Sequence, residues 1–578
     1  AVISTTITLV AVFFPIVFMD GMTGKLFREF SLVISGSVII SSFAALTFTP
    51  MLATKLLIKR EKQNWFYRKT EPFFEGINRI YSRSLAAFLK KRWLALPVIA
   101  VTIGIIVFLW GYIPAEMAPL EDRSQISINT RGAEGVTYEY IRDYTEDIND
   151  LVDSIIPDAE SVTARVSSGS GNVRITLKDM KDRDYSQMDV AEELSKAVQK
   201  KTMARSFVQQ SSSFGGRRGG MPIQYVLQAT NLEKLQEVLP KFMAKVYENP
   251  VFQMADVDLK FSKPEARINI NRDKASIMGV STRNIAQTLQ YGLSGQRMGY
   301  FYMNGKQYEI LGEINRQQRN KPADLKAIYV RSDKGDMVQL DNLIELTNGI
   351  APPKLYRYNR FASATVSAGL AEGKTIGQGL DEMDKIAKET LDDSFRTALT
   401  GDSKEYRESS SSLMFAFILA IFLIYLILAA QFESFKDPLI VMLTVPLAIA
   451  GALIFMYFGG ITMNIFSQIG IIMLIGLVAK NGILIVEFAN QKQESGEDKM
   501  NAIKDASLQR LRPILMTSAS TILGLIPLAF ATSEGCNQRI AMGTAVVGGM
   551  LISTLMTMYI VPAIYSYIST NRNKLRES

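Results

Sequence analysis

Apolar windows of about twenty residues, enough to cross a bilayer at 1.5 Å per residue, recur along this chain and fix its class. They are Ala1–Met19, Phe30–Leu52, Trp93–Ile113, Leu413–Ala430, Leu439–Phe458, Ile465–Phe488, Pro513–Ala531 and Ala541–Ile564. One long polar block, Pro114–Ser410, separates the third window from the fourth. The reading is a polytopic α-helical membrane protein with a single large extramembrane region. A mean hydropathy of +0.10 is then the average of two unlike halves.

Charge sets the orientation. Much of the positive excess lies in the segment Lys55–Arg92 between two windows, which places that loop on the cytoplasmic side. Counting onward puts Pro114–Ser410 outside, and the basic stretch Gln491–Arg512 and the tail TNRNKLRES inside. A pI near 9.1 therefore reflects loop bias and does not call for nucleic acid. The 578-residue sequence has no histidine and one cysteine, Cys536. That excludes imidazole chemistry, an intrachain disulfide and a multi-cysteine metal site. With no nucleophile–base pair in view, an enzyme is not expected. The chain opens Ala-Val-Ile-Ser inside an apolar run, without a signal peptide, and is expected to be the C-terminal part of a longer protein.

Lys480 lies inside the window Ile465–Phe488, with no further charge until Glu487. A lysine at the centre of a membrane helix costs about 2.5–3.5 kcal/mol on insertion scales. Two uses justify it: a charge that faces a partner or water path, or a side chain that snorkels to the headgroups. Glu487 is about two turns away and Ile465 about four, which makes snorkelling a long reach. The functional use is preferred, and with it an ion-coupled transporter.

The polar block has the rhythm of strand–helix–strand units: Ser124–Thr130, Tyr138–Ile155 and Ser161–Val166; Ile223–Ala229, Leu232–Tyr247 and Asp256–Leu259; Phe361–Ala368, Thr375–Thr390 and Arg396–Leu399. Such repeats predict ferredoxin-like βαβ subdomains. Residues 271–353 differ in texture and read as an inserted subdomain, and Ser211–Gly220 (SSSFGGRRGG) as a flexible connector. The organisation expected is 1–57 two membrane helices, 58–92 a cytoplasmic basic loop, and 93–113 a membrane helix. Then follow 114–270 and 354–412 as the α/β region around the 271–353 insert, 413–566 as five membrane helices, and 567–578 as a tail. The stretch GLAEGKT (Gly369–Thr375) imitates a phosphate-binding loop but has three residues, not four, before its Gly-Lys pair.

The segments GLVAKNGILIVEFAN (Gly476–Asn490) and RLRPILMTSASTILGLIPLA (Arg510–Ala529) resemble the resistance-nodulation-division (RND) efflux pumps, in the branch that exports hydrophobic and amphiphilic compounds. The resemblance extends through Ala11–Leu52 and Ala429–Leu453. It implies proton-driven efflux, no cofactor, and a homotrimer working with a periplasmic adaptor and an outer-membrane channel from a bacterial inner membrane. It implies twelve membrane helices and two external loops in the whole protein, of which this chain would carry eight and one and be inactive alone. The external loop would supply two porter subdomains, with the insert docking toward the channel.

By the same resemblance Lys480, Arg510 and Thr517 form a proton relay, Lys480 pairing with two aspartates upstream of Ala1. A lysine between carboxylates favours their ionised forms, and protonating one weakens that hold. Arg510, beside Arg512, also suits a residue that marks the cytoplasmic boundary, and Thr517 one that bonds its own helix. Asn481 and Glu487 are weaker candidates. Phe207 falls near the family's pocket-lining region, where a core phenylalanine is the other reading. Between Val166 and Val173 this chain has only SSGSGN, where the drug pumps carry a longer, phenylalanine-bearing loop. Two alternatives stand beside drug export. One is a metal-exporting relative using Met117, Met254, Met298 and Met303; the other is a non-exporting accessory or translocation component.

Overall fold

The computed structural model describes residues 2–19, 21–56, 65–210, 221–371 and 373–570. The Ser211–Gly220 connector, residues 58–64 of the basic loop and residues 571–578 of the tail lie outside the described residues. The chain opens with helices α1 (Val2–Val17), α2 (Gly21–Leu56), α3 (Trp65–Lys90) and α4 (Ala95–Tyr112). Among the described residues seven helical segments are long and apolar enough to cross a membrane; α1 is apolar but, at 16 residues, shorter than that standard.

The expected basic loop is largely a helix, α3. Ile77, Tyr81, Leu85 and Leu89 recur every fourth residue, so they form one apolar stripe. That stripe packs on the C-terminal helices, where the Tyr81 hydroxyl donates to the Met558 carbonyl at 2.7 Å. Arg512 holds the other end of α3, 3.5 Å from Glu71 and 4.5 Å over the Phe74 ring.

After α4 the chain builds β1 (Gln125–Arg131), α5 (Tyr138–Ile155), β2 (Ser161–Ser167), β3 (Ser170–Thr176), α6 (Gln187–Gln199) and β4 (Arg205–Gln210). These strands form an antiparallel sheet in the order β2-β3-β1-β4. A second unit repeats the plan with β5 (Ile223–Ala229), α7 (Leu232–Glu248) and β6 (Phe252–Val257). An insert then carries β7 (Lys263–Ile270), α8 (Arg272–Ile277), α9 (Thr282–Leu293), β8 (Gln296–Met303), β9 (Lys306–Gly312), β10 (Tyr329–Arg331), β11 (Met337–Gln339) and β12 (Ile344–Ala351). The second unit resumes with β13 (Tyr356–Tyr358), β14 (Phe361–Leu370), α10 (Ile376–Thr390) and β15 (Arg396–Leu399). Its main strands run β6-β14-β5-β15, with β13 on the far half of the β14 edge. In strand order of appearance that is 2-3-1-4 in both units. The insert has its own small core around Val280, Ile285, Val330 and Leu340.

Thr375, the last residue of GLAEGKT, caps α10 by accepting from the Gln378 N–H, which gives that motif a structural use. The SSGSGN segment is the β2–β3 hairpin. Ser167 pairs with Ser170, leaving a two-residue turn in which Gly169 has φ +81°.

The chain then returns through α11 (Gly401–Phe432), α12 (Asp437–Met442), α13 (Thr444–Phe458), α14 (Ile465–Glu494), α15 (Lys499–Ala529) and α16 (Asn537–Ile568). α14 is buried along most of its length, whereas α2 is buried only toward its start, at Thr23, Phe27 and Ser31, and is largely exposed beyond. Small residues let the neighbouring backbones touch. A Cβ at Gly451 on α13 would meet the Gly548 carbonyl of α16 at 2.9 Å, and one at Gly549 would meet the Ala448 carbonyl at the same distance.

Candidate functional site

The centre of α14 carries Lys480, half-buried among apolar neighbours. Among the described residues its ammonium has neither a hydrogen bond nor an ion pair. One residue on, the buried Asn481 donates to the Ser518 hydroxyl of α15 at 3.2 Å, and Thr554 of α16 donates to the same hydroxyl at 3.1 Å. Three helices are thus tied together by polar groups beside the lysine. Sequence reading named Asn481 only as a weak candidate and missed Ser518 and Thr554; hydroxyls on apolar helices carry no signal without knowing which face meets which.

The three expected relay residues fall on two packed helices, α14 and α15, and among the described residues no hydrogen bond or ion pair joins them. Arg510 lies against α14, its guanidinium 4.5 Å over the Phe488 ring, with its Nε buried and unbonded. Phe488 is eight residues beyond Lys480, about 12 Å along the axis. Thr517 is exposed, and its hydroxyl donates to the Ile514 carbonyl of its own helix at 3.1 Å. Glu487 accepts from Gln431 of α11 at 3.4 Å. Further from the α/β units, Asp437, Asn490, Gln493 and Tyr565 form a buried polar network. Asn490 donates to Asp437 at 3.2 Å, Gln493 donates to the Tyr565 hydroxyl at 2.7 Å, and that hydroxyl donates to Asn490.

Loops of the membrane region are joined to the segment that leads into the first α/β unit. The loop between α15 and α16 docks on the segment before β1. Glu121 accepts from the Gln538 N–H at 3.0 Å, Asn537 donates to the Leu120 carbonyl at 2.7 Å, and Ser124 donates to Glu534 at 3.2 Å. Asp122, next along, takes the Gln187 N–H at 2.9 Å, the Ser124 N–H at 3.1 Å and the fully buried Arg183 guanidinium. Burial pushes the Asp122 carboxyl up, but these donors outweigh it and hold the group below the usual carboxylate range. Helices α15 and α16, tied to α14 beside Lys480, therefore connect mechanically to the first α/β unit.

A cleft of about 550 Å³ opens between the two α/β units. Phe207 on β4 lines it, with Gln209, Gln210, Met221, Gln253 and Met254. Phe207 is thus half-buried at a cavity wall, and amide side chains outnumber aromatic ones around it. Above the cleft the units are bridged by Asp256 of β6, which lies 3.3 Å from Arg131 of β1, 3.4 Å from Arg205 of β4 and 3.0 Å from Lys260.

The four methionines considered as metal ligands occupy three separate places. Met117 is buried near the membrane boundary, Met254 lines the cleft, and Met298 and Met303 are exposed on the β8–β9 hairpin. Cys536 sits at the start of α16, half-buried.

Comparison with known proteins agrees with this architecture. An "uncharacterized transporter" of Haemophilus influenzae is 30% identical over 586 residues, covering 99% of this chain and 57% of that protein. The chain thus spans a little over half the length of the relative it matches. Residues 1–569 match the AcrB/AcrD/AcrF family, so the chain belongs to that family of RND permeases and is part of a multi-pass membrane transporter.

Proposed function

We propose that the protein exports hydrophobic or amphiphilic compounds by exchange for protons, as the inner-membrane component of a tripartite pump. The observation that carries this reading is Lys480: a cation without a bonded partner among the described residues, at the middle of the most enclosed membrane helix. A charge held there responds to the protonation of any carboxylate brought beside it. The Asn481–Ser518–Thr554 ties pass a shift of α14 to α15 and α16. The docked α15–α16 loop passes it on to the first α/β unit. The two units, read as ferredoxin-like porter subdomains on the external side, bind the exported compound in the Phe207 cleft and release it as they part. In this reading Lys480, Arg510 and Thr517 belong to the proton-coupling group, and the protein acts as a homotrimer with an adaptor and an outer-membrane channel.

The cleft refines the substrate class. With Gln209, Gln210 and Gln253 on its walls and Phe207 as the one aromatic side chain among the described residues that line it, it suits amphiphiles that accept and donate hydrogen bonds more than flat aromatic compounds. The test follows efflux of a fluorescent amphiphile under an imposed proton gradient, in pump-deficient cells expressing the protein with Lys480 or with Lys480→Met at equal levels. Efflux that is present and lost in the variant supports the reading; a Lys480→Met protein that pumps normally overturns it.

A further inference from the structure

We infer that a groove on the outside of the helix bundle, between α4, α13 and α16, binds an anionic phospholipid from the leaflet facing away from the α/β units. The groove has a volume of about 500 Å³ and is lined by side chains such as Val98, Val101, Leu447, Ile454 and Leu555. The one hydroxyl in its wall, Thr102, is occupied by the Val98 carbonyl at 2.7 Å, so the lining offers nothing to water or to a polar ligand. A second apolar hollow of about 470 Å³ continues it toward Tyr457 and Phe458. From Leu94 to Ile105 it runs about 16 Å along α4 at 1.5 Å per residue. That is the depth of one leaflet, half of a hydrocarbon core about 30 Å thick. An unfilled groove forfeits dispersion contacts along its whole wall, and an acyl chain restores them.

The mouth of the groove identifies the headgroup. Directly before Leu94 the sequence reads Lys90-Lys91-Arg92-Trp93. Lys90 and Lys91 are exposed. Arg92 is fixed in place, 4.4 Å over the Tyr567 ring and donating to the Ser566 hydroxyl at 3.3 Å. Among the described residues no carboxylate pairs with it, and a guanidinium has five N–H donors, so most remain for a phosphate. Lys499 adds a cation beside this site, its ammonium on the Ser569 carbonyl at 2.6 Å. Trp93 and Tyr567, 60% and 47% exposed, lie where interfacial aromatics sit at headgroup level. Clustered cations at a membrane surface select net negative headgroups over zwitterionic ones, whose ammonium would face the same charges.

Tryptophan quenching tests this in the whole protein. Trp65→Phe and Trp110→Phe, with any tryptophan outside this sequence also replaced by Phe, leave Trp93 as the only reporter, and the protein is reconstituted in phosphatidylcholine vesicles. A minor fraction of lipid with brominated acyl chains is added as phosphatidylglycerol or as phosphatidylcholine. The expected result is at least fivefold stronger quenching by brominated phosphatidylglycerol at equal mole fraction. Arg92→Gln, at the exposed mouth, should remove the headgroup preference and leave basal quenching. Ala450→Phe, which fills the groove from α13, should reduce quenching by both lipids. Equal quenching by the two headgroups in the unsubstituted protein overturns the proposal, as does undiminished quenching in Ala450→Phe. Protection of Trp93 from both lipids would mean that protein covers the groove, and overturns it too. Should Ala450→Phe fail to fold, mass spectrometry of the intact unsubstituted protein decides: retained phosphatidylglycerol in excess over phosphatidylcholine is required.

Discussion

Asn481 and Ser518 are joined across α14 and α15 by a 3.2 Å hydrogen bond, and each follows by one residue a position assigned to the relay. Successive residues on a helix are rotated by about 100°. Ser518 therefore faces α14 while Thr517 turns away and bonds its own carbonyl. Ser518→Ala removes the acceptor for both Asn481 and Thr554. Interhelical bonds in membranes average about 0.6 kcal/mol each, so a loss of about 1 kcal/mol is expected, read as a lowered unfolding temperature in detergent. Thr517→Val should leave that temperature in place. If it also leaves transport in place, Thr517 has no part in proton coupling.

Asp256 is a link that the proposed opening of the cleft would have to break. Its carboxylate is buried, but Arg131 and Arg205 are 57% and 62% exposed in their side chains. Exposed pairs contribute about 0.2–1 kcal/mol each, which is enough to bias the closed cleft and little enough to release it. Asp256→Asn should widen the distribution of distances between spin labels at Gln199 and Gln253, on opposite walls of the cleft. The unsubstituted protein should widen in the same sense as salt is raised. A distribution indifferent to both changes would show that other contacts hold the units together.

The Asp122–Arg183 pair sets an acid limit. Because the folded carboxyl sits below its unfolded value, the pair contributes stability above about pH 4, where the unfolded group is ionised. That contribution is lost as pH falls below this through the folded value. Acid should therefore free the α15–α16 loop from the segment before β1, seen as lost protection at Ser124 and Gly535 once amide exchange is divided by its intrinsic rate at each pH. Arg183→Ala leaves a buried carboxylate without its cation and should cost about 3 kcal/mol already at neutral pH. Protection that stays constant from neutral pH to below pH 4 would dismiss the pair as a tether.

Most of the membrane windows were legible because apolar length is a property of sequence alone, though the helix bounds were not: α11 begins twelve residues before Leu413 and α15 fourteen before Pro513, while α1 and α4 fall short of their windows. The first α/β unit was read only in part. β3 has just Val173 and Ile175 to signal a strand, so the hairpin after β2 and the whole β3-α6-β4 half went unassigned. The capping box of Ser186 and Asp189 was the available sign of α6. The strand expected at Asp256–Leu259 lies earlier, at Phe252–Val257. Asp258 ends it by taking the Thr365 N–H on its side chain at 2.7 Å, while Leu259 is buried beyond the strand and only looked like part of it. Lys480 announced itself as a charge in an apolar run. The groups that hold its neighbourhood did not, since their meaning depends on which helix faces which.

The α13–α16 contact depends on Gly451 having no side chain. A Cβ there would lie 2.9 Å from the Gly548 carbonyl, 2.9 Å from the Ile552 Cβ and 3.1 Å from the Gly549 Cα. Two of the three are backbone atoms, which cannot step aside as a flexible side chain can. Gly451→Val must therefore push the helices apart, an overpacking cost of about 1–3 kcal/mol. The same displacement would move α16, and with it the Thr554 bond to Ser518 beside Lys480. Gly36 on α2 provides the control, since a Cβ there meets nothing within 4 Å. Gly451→Val is expected to lower the unfolding temperature in detergent and to impair transport, and Gly36→Val to do neither. Equal behaviour of the two variants would mean that the close approach of α13 and α16 is not what fixes the register of the bundle.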